Sequence, residues 1–284
     1  MNNVLVVSNF NAGRKKALMH KKTLMKFLLA NCEKFRFVSI DEFSELNIDE
    51  FDTIIVIGGD GTVNKVASKI IGTDKALVII PSGTANLLAA NLCIPFNLKK
   101  NLKRLKQKNI KVIDVIDVNG ACCVLRTGFG YDSDIICKTV QSIKNKFGYF
   151  AYFIAGIIFA LRLKKKTYEI EINDGTKQID ATCLIVANAA NMYRNIISVG
   201  NNSKVDDGIF EVFILKTQNP IIFFIEFLFI ILGLRRNNSR AEYYKTDKLT
   251  VKNNWCVSHV DGEKRILKGD INIKLLPNKL RVYY

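Results

Sequence analysis

The stretch TIIVIGGDGTVNKVASKII, residues 53–71, decides the fold of this chain. Its first five residues are aliphatic or β-branched without a break, which is typical of a strand buried on both faces of a parallel sheet. Three glycines, an aspartate and a threonine follow, and apolar residues then recur at helical spacing from Val63 onward. A strand that passes through a glycine turn into a helix predicts an α/β domain.

The turn between this strand and helix is suited to phosphate. Gly58 lies at the carboxyl end of the strand, the edge at which open α/β sheets bind ligands. Gly58, Gly59 and Gly61 let the backbone approach a ligand closely, and the helix directs its first amide groups to the same point. Asp60 alone would repel phosphate, so it predicts a Mg²⁺ ion between carboxylate and phosphate. A glycine-rich turn capped by Asp60 and Thr62 is the structural alternative.

A second loop repeats the arrangement. The run ALVIIPSGTANLLAANL, residues 76–92, predicts a strand, a turn through Gly83 and then a helix. Thr84 and Asn86 can each contact phosphate or cap the helix, and the residues alone leave both uses open. Two such turns at neighbouring strand ends are far more specific than either one, so we expect them to lie together.

The pattern of elements changes near residue 115. Before it, strands and helices alternate, which predicts a mostly parallel sheet with helices on both faces. After it, short strands follow one another, interrupted by apolar stretches at 147–163 and 219–236 that are too short or too polar for the ~20-residue span of a bilayer. We therefore predict a Rossmann-like α/β domain over 1–115 and a mainly antiparallel β-sandwich domain over 116–284, whose last strand can return to the first domain.

Net charge limits the possible binding partners, and cysteine usage indicates the compartment. The 42 Lys and Arg residues against 26 Asp and Glu give a net charge of +16, which favours an anionic partner such as nucleotide phosphate, nucleic acid or an acidic membrane. A general basic bias of composition explains the charge equally well. The single Trp and the lack of basic stretches with interleaved aromatics argue against nucleic acid. Seven cysteines without metal-ligand spacing are expected to be reduced thiols of a cytoplasmic protein.

Six short motifs follow one another along nearly the whole chain: SNFNAG (8–13), GGDGTVN (58–64), PSGTANLLAANLCIP (81–95), TGFGYDSDI (127–135), KVDDGIFEVFIL (204–215) and VDGE (260–263). In this order they resemble the diacylglycerol kinase catalytic-domain superfamily, which includes bacterial lipid kinases and sphingosine kinases. GGDGT is shared with NAD kinases, whereas the later motifs favour the lipid branch. Leu87 and Ala90 stand where most diacylglycerol kinases have Asp and Arg, which leaves the choice of lipid open.

The resemblance implies an ATP-dependent lipid kinase that transfers the γ-phosphoryl group to a lipid hydroxyl with the help of Mg²⁺. It implies Glu263 as proton acceptor with Asp261 beside it, and Asp60 as the residue that organises metal and phosphates. Without the resemblance, the DDG of KVDDG is an ordinary turn and the Asp-Gly of VDGE a hairpin signal. The residues implied to bind nucleotide are Asn9, Gly13, Ser39, Gly58, Gly59, Asp60, Gly61, Thr62, Asn64 and Thr84, and those implied to bind Mg²⁺ are Lys204, Asp207 and Ile209.

The expected partners are a lipid substrate and an anionic membrane surface, with the protein held peripherally at the inner face of the membrane. A homodimer is left open. Two other functions are weighed against the lipid kinase: a soluble kinase similar to NAD kinase, and a non-catalytic module that binds nucleotide or anionic membrane. Retention of Asp60, Asp207 and Glu263 together argues against a module that has lost catalysis.

Overall fold

The structure is a computed structural model of the 284-residue chain. It describes residues 3–8, 14–83, 86–138, 163–188, 204–231, 237–252 and 256–284, of which 14–21, 135–138, 231 and 256 are described by backbone alone. The chain divides into two compact units. The first comprises Met1–Ile113 and Asn278–Tyr284, and the second Asp114–Pro277.

The first unit is built from alternating strands and helices. They are β1 (Asn3–Ser8), α1 (Arg14–Asn31), β2 (Lys34–Ser39), α2 (Ile40–Glu45), β3 (Thr53–Gly58), α3 (Asp60–Ile70), β4 (Ala76–Pro81), α4 (Leu87–Asn91) and α5 (Leu98–Leu105). The strands form a parallel sheet in the order β2–β1–β3–β4. Parallel strands joined by helices are the architecture that the sequence pattern predicts.

The parallel sheet is buried on both faces. Successive residues of β1, whose side chains point to opposite faces, are fully buried from Val4 to Val7. Leu24 and Leu28 of α1 and Leu102 of α5 pack in one cluster with Val4, so helices cover that face. α3 buries the residues that recur at helical spacing in the sequence, namely Val63, Val66, Ala67 and Ile70.

The remaining elements are mostly strands. They are β5 (Ile110–Val118), β6 (Ala121–Cys123), β7 (Arg126–Gly130), α6 (Tyr131–Lys138), β8 (Lys166–Ile172), β9 (Gly175–Ala181), β10 (Cys183–Ala187), β11 (Phe210–Leu215), α7 (Pro220–Ile231), β12 (Ala241–Thr246), β13 (Lys248–Val251), β14 (Cys256–Val260), β15 (Glu263–Leu267) and β16 (Ile271–Tyr283). β16 begins in the second unit, where it pairs with β13, and its end lies in the first unit, where Arg281 and Val282 pair in parallel with β4.

The second unit is a sandwich of two sheets. One sheet has the order β12–β11–β10–β7–β14–β15, and the other contains β16–β13–β8–β9. Phe129 and Phe210 of the first sheet pack in one core cluster with Tyr168 and Ile273 of the second. Antiparallel pairs such as β10 with β11 and β8 with β9 dominate both sheets. The predicted fold class, an α/β domain followed by a mainly antiparallel β-sandwich, is confirmed.

The outer face of the six-stranded sheet is covered by α6 and α7. Tyr131 of α6 and Phe223 of α7 stack edge to face at a centroid distance of 4.5 Å, and both pack with Phe213 of β11. In the part of the chain that is described, no helix is both long enough and apolar enough to cross a bilayer. The apolar stretch predicted at 147–163 lies outside the described residues except for Leu163.

Candidate functional site

The two glycine turns predicted from the sequence contact each other at the carboxyl edge of the parallel sheet. β3 and β4 are neighbours with Gly58 beside Pro81, and the amide of Ser82 donates to the carbonyl of Gly58 at 3.0 Å. A Cβ atom on Gly83 would lie 2.4 Å from the Cα atom of Gly59. Only glycine fits at this contact, so the two turns form one continuous backbone surface.

α3 begins on that surface. Its N-cap is Gly59, which has no side chain to cap the first turn. The amides of this turn carry the positive end of the helix dipole. A Cβ atom on Gly61 would meet nothing within 4 Å, and the residue does not adopt the left-handed conformation. Packing within the chain therefore does not require glycine at this position, whereas an anion approaching the amides would benefit from it.

Three polar side chains lie close to these turns in the fold. Asp60 Oδ1 accepts the amide of Leu88 at 3.4 Å, which ties the start of α3 to the start of α4. Asn64 Oδ1 and the hydroxyl of Ser8 are buried and have no hydrogen-bond partner among the residues described. An unsatisfied buried polar atom costs about 1–3 kcal/mol, so both atoms are suited to contact a polar ligand. Ser8 begins the SNFNAG motif, yet the residue-by-residue prediction omitted it.

Ser39 lies at the same sheet edge but uses its side chain locally. It ends β2 beside Ser8. Its hydroxyl accepts the amide of Glu42 at 3.2 Å, and its own amide donates to the Glu42 carboxylate at 2.8 Å. This is a capping box for α2. The hydroxyl of Ser39 is thus engaged with a helix terminus, and its contact with nucleotide stays a prediction.

Asn86 fixes the second turn. It adopts a left-handed conformation with φ of 49°, which asparagine tolerates better than most residues. Its Oδ1 accepts the amide of Gly83 at 3.0 Å, and its Nδ2 donates to the Gly83 carbonyl at 2.7 Å. The side chain therefore clamps the turn that touches Gly59. Asn9, Gly13 and Thr84 lie outside the described residues.

In the second unit, VDGE forms the tight turn between β14 and β15. Val260 pairs with Glu263, and Asp261 and Gly262 occupy the two loop positions with φ of 48° and 86°. Two positive φ values in a two-residue loop are the signature of a type I′ hairpin turn. The hairpin that the residues alone suggest is therefore present, and it places the partly exposed carboxylate of Glu263 at the first position of β15.

Asp261 anchors this hairpin to the start of β7. Its buried carboxylate accepts the amides of Val124 at 2.6 Å, Leu125 at 2.8 Å and Arg126 at 2.8 Å. Burial raises the pKa of Asp261, and the three amides oppose that rise because they stabilise the ionised form. The thiol of Cys123 also donates to this carboxylate at 3.4 Å, and together these contacts position the turn.

A second buried chain of polar groups supports the same turn. Arg126 Nη1 donates to Asp132 Oδ1 at 2.8 Å, and Asp132 Oδ2 lies 2.6 Å from His259 Nε2. The amide of Gly262 donates to His259 Nδ1 at 3.3 Å, so Nε2 carries the proton and donates to Asp132. Burial would raise the pKa of Asp132, but Arg126 and His259 hold it well below its usual range. Nothing in the sequence pattern singled out His259, so this network was not predicted.

KVDDG forms a turn just before β11. Burial raises the pKa of Asp207, while hydrogen bonds to the carboxylate from the amides of Lys204 and Ile209 lower it. The buried carboxylate of Asp114 accepts the amide of Gly208 at 2.9 Å, which brings a second acid to the turn. Oxygen ligands of this kind fit a hard cation such as Mg²⁺. The described residues contain no cluster of three or more His, Cys, Asp or Glu side chains arranged for a metal, so backbone carbonyls would have to complete such a site.

Comparison with known proteins identifies both halves of the chain. Residues 3–118 match the family model described as diacylglycerol kinase catalytic domain. Residues 126–284 match the model described as YegS C-terminal NAD kinase beta sandwich-like domain. The resemblance read from the six motifs is therefore confirmed.

Individual relatives agree with these matches. "Probable lipid kinase YegS-like" of Citrobacter koseri is 36% identical over 143 residues, 48% of each protein, so the match spans about half of this relative. "Diacylglycerol kinase" of Bacillus subtilis is 28% identical over 203 residues, 70% of this chain and 67% of the relative. A crystal structure of a diacylglycerol kinase from Bacillus anthracis shares the fold, with a TM-score of 0.76 at 20% identity over 99% of this chain and 96% of that one. The chain belongs to the family that joins a diacylglycerol kinase catalytic domain to a YegS-type, NAD kinase-like β-sandwich.

Proposed function

We propose that the protein is an ATP-dependent lipid kinase that phosphorylates the hydroxyl of diacylglycerol or a related lipid alcohol. The observation that carries the proposal is the contact between the two glycine turns at the start of α3, whose N-cap is a glycine. Backbone amides at a helix start are a ready site for phosphate. Two relatives, named as a probable lipid kinase and a diacylglycerol kinase, support the choice of acceptor.

The first unit is proposed to hold ATP. The amides of Gly61 and Thr62 at the start of α3 bind phosphate oxygens, and Gly59 and Gly83 keep the surface free of side chains. Asn64 and Ser8 offer buried polar atoms to the nucleotide. Phosphoryl transfer requires positioning and charge stabilisation above all, and a rigid backbone surface provides both.

Mg²⁺ is the cation that fits the donors of this chain, and when bound it offsets the charge of the phosphates. Asp60 is the carboxylate proposed to hold it near the nucleotide. The carboxylate of Asp207 and the carbonyls of Lys204 and Ile209 are proposed as ligands of a Mg²⁺ ion at the KVDDG turn. Every one of these donors is an oxygen, which suits Mg²⁺ better than a softer metal.

Glu263 is proposed to accept the proton of the lipid hydroxyl. As that proton moves to the carboxylate, the lipid oxygen forms a bond to the γ-phosphorus, the bond from this phosphorus to the bridging oxygen breaks, and ADP leaves. A general base contributes about 10²–10⁴-fold to such a reaction. Asp261 is proposed to act as a positioning residue, because its carboxylate is occupied by three backbone amides.

The lipid acceptor requires the protein to reach a bilayer, so we also propose peripheral association with an anionic membrane surface. The net charge of +16 supports it. This association is separate from catalysis and is tested separately below.

The proposal is tested with labelled ATP, Mg²⁺ and a panel of lipid alcohols in mixed micelles, with the products separated by chromatography. The wild type is expected to phosphorylate at least one lipid, and Glu263→Gln to lose about 10²–10⁴-fold in turnover while it still binds ATP. Phosphorylation of NAD without micelles would instead support an NAD kinase-like enzyme. Binding of ATP with no transfer to any acceptor would support a non-catalytic module.

A further inference from the structure

The outer face of α7 is an aliphatic stripe exposed to solvent. Ile221, Ile225 and Leu228 are 72%, 46% and 48% exposed. Their spacing of four and three residues places them on one face of the helix. The opposite face packs into the protein, where Phe223 is fully buried and Ile230 joins the same apolar cluster. α7 is therefore apolar on both its buried and its exposed side.

The stripe lacks the charged residues that a surface helix normally presents to water. The one charged residue between Pro220 and Ile231 is Glu226, which is turned inward and buried. Asn238 Nδ2 lies 3.5 Å from its Oε1, so the acid is held by the turn that follows the helix. A helix that is hydrophobic all round normally lies in a core or against lipid. The exposed stripe of α7 therefore suits contact with an apolar medium.

Cations flank this stripe along the chain. From residue 216 to residue 240 the sequence has four cationic residues and a single acid, the buried Glu226. The amide of Lys216 donates to the carbonyl of Arg240 at 2.8 Å, so the two chain segments that enter and leave the α7 region lie side by side. Lys216 pairs with Glu242, whereas Arg240 is exposed. The other two cations are Arg235 and Arg236, which come four and five positions after the last residue of α7 in the sequence.

We propose that the stripe formed by Ile221, Ile225 and Leu228 is the surface with which the protein docks on an anionic lipid bilayer. Aliphatic side chains enter the boundary between headgroups and acyl chains while neighbouring cations meet anionic headgroups. The stripe consists of three exposed aliphatic side chains on one helix, whereas each partner in a standard protein–protein interface contributes about 20–30 residues, which argues against a second copy of the chain. This stripe on α7 is thus the proposed site of the membrane association put forward above, on which the proposal rests.

The test is sedimentation with sucrose-loaded vesicles of phosphatidylcholine, with and without phosphatidylglycerol. The wild type is expected to sediment with the anionic vesicles and less with the neutral ones. The triple variant Ile221→Ser, Ile225→Ser and Leu228→Ser should lower the partition coefficient on anionic vesicles at least about tenfold. Leu29→Ser is the matched control, because Leu29 is a 69% exposed aliphatic residue on α1 in the first unit and should leave partitioning unchanged.

Two further measurements keep the result decisive. Thermal melting should show that the triple variant is folded, since the three side chains are exposed. If the folded variant and the wild type partitioned equally onto anionic vesicles, the inference would be overturned. Sedimentation equilibrium that shows a dimer lost in the triple variant would also overturn it, by assigning the stripe to a second copy. Activity in detergent micelles does not need docking on a bilayer. Vesicle binding without kinase activity would therefore refute the proposed catalysis alone. Kinase activity without vesicle binding would refute the inference and the proposed membrane association, and would leave the proposed catalysis standing.

Discussion

Replacing Gly83 with alanine should push the two glycine turns apart. The added Cβ atom would lie 2.4 Å from Gly59 Cα, 3.2 Å from Gly59 N and 3.1 Å from Asn86 Oδ1. Carbon atoms in contact prefer a separation of about 3.5–4.0 Å, so the turns must separate by roughly 1 Å. Two of the three neighbouring atoms belong to the backbone, which means that no flexible side chain can yield instead.

The displacement sets the size of two effects. Overpacking of this kind lowers the free energy of unfolding by about 1–3 kcal/mol. A misplacement of about 1 Å in a group that positions substrate costs about 10²-fold in rate, so phosphoryl transfer should fall by that factor. Urea denaturation measures the first effect, and the micelle assay with labelled ATP measures the second.

Gly61→Ala is the matched control for stability. Its Cβ atom would meet nothing within 4 Å, and it lies in α3, where alanine is favoured over glycine by up to about 1 kcal/mol. The variant should be as stable as the wild type or slightly more stable, yet bind ATP more weakly, because the methyl group would crowd the proposed phosphate surface. Gly83→Ala with unchanged stability and turnover would refute the contact between the turns. Gly61→Ala with wild-type affinity for ATP would refute the use of the α3 amides.

The remaining predictions concern the second unit. Asp261→Ala should lower the free energy of unfolding in urea by about 3 kcal/mol or more, because three backbone amides lose their acceptor. Asp261→Asn keeps one acceptor oxygen and should lose less. An equal loss of unfolding free energy in both variants would contradict the reasoning. His259→Asn should lower turnover without changing ATP affinity in calorimetry, since it loosens the turn before Glu263; unchanged turnover would count against it. Burial opposes ionisation of Glu242, but hydrogen bonds from Lys216, Tyr244 and Lys177 lower its pKa from 4.5 to about 2. This stabilisation is present above pH 4.5 and is lost as the pH falls toward 2. The melting temperature of Glu242→Gln should therefore lie below that of the wild type at neutral pH and converge with it in acid. A gap in melting temperature that stays constant with pH would disprove the assignment.

The α/β half of the fold could be predicted because its signals are local. The unbroken aliphatic run of β3, the glycine turn and the helical spacing in α3 all lie within residues 53–71. Adjacent strand ends also predicted that the turns at Gly59 and Gly83 would meet, although only the structure gives their separation. The capping box of Ser39 and Glu42 follows a readable four-residue signature and could have been predicted as well.

The supports of the VDGE turn could not be predicted from the sequence. Asp261 bonds to amides more than 130 residues earlier in the chain, and His259 reaches Asp132 across a similar separation. Such contacts depend on how β7 and β14 pair, and one sequence without a known pairing carries no signal for them. Local reasoning found the hairpin and missed what holds it in place.

The path of β16 has a consequence for how this protein is made and dissected. Residues 278–284 add the strand segment beside β4, so β4 keeps an unpaired side until these residues, far along the chain, have been synthesised. Contacts between residues this far apart in sequence form slowly. A gene fragment that stops at residue 113 would yield a domain with an open apolar sheet edge, which is prone to aggregate. Isolating the first unit in the laboratory therefore calls for grafting residues 278–284 onto it, as in a circular permutant.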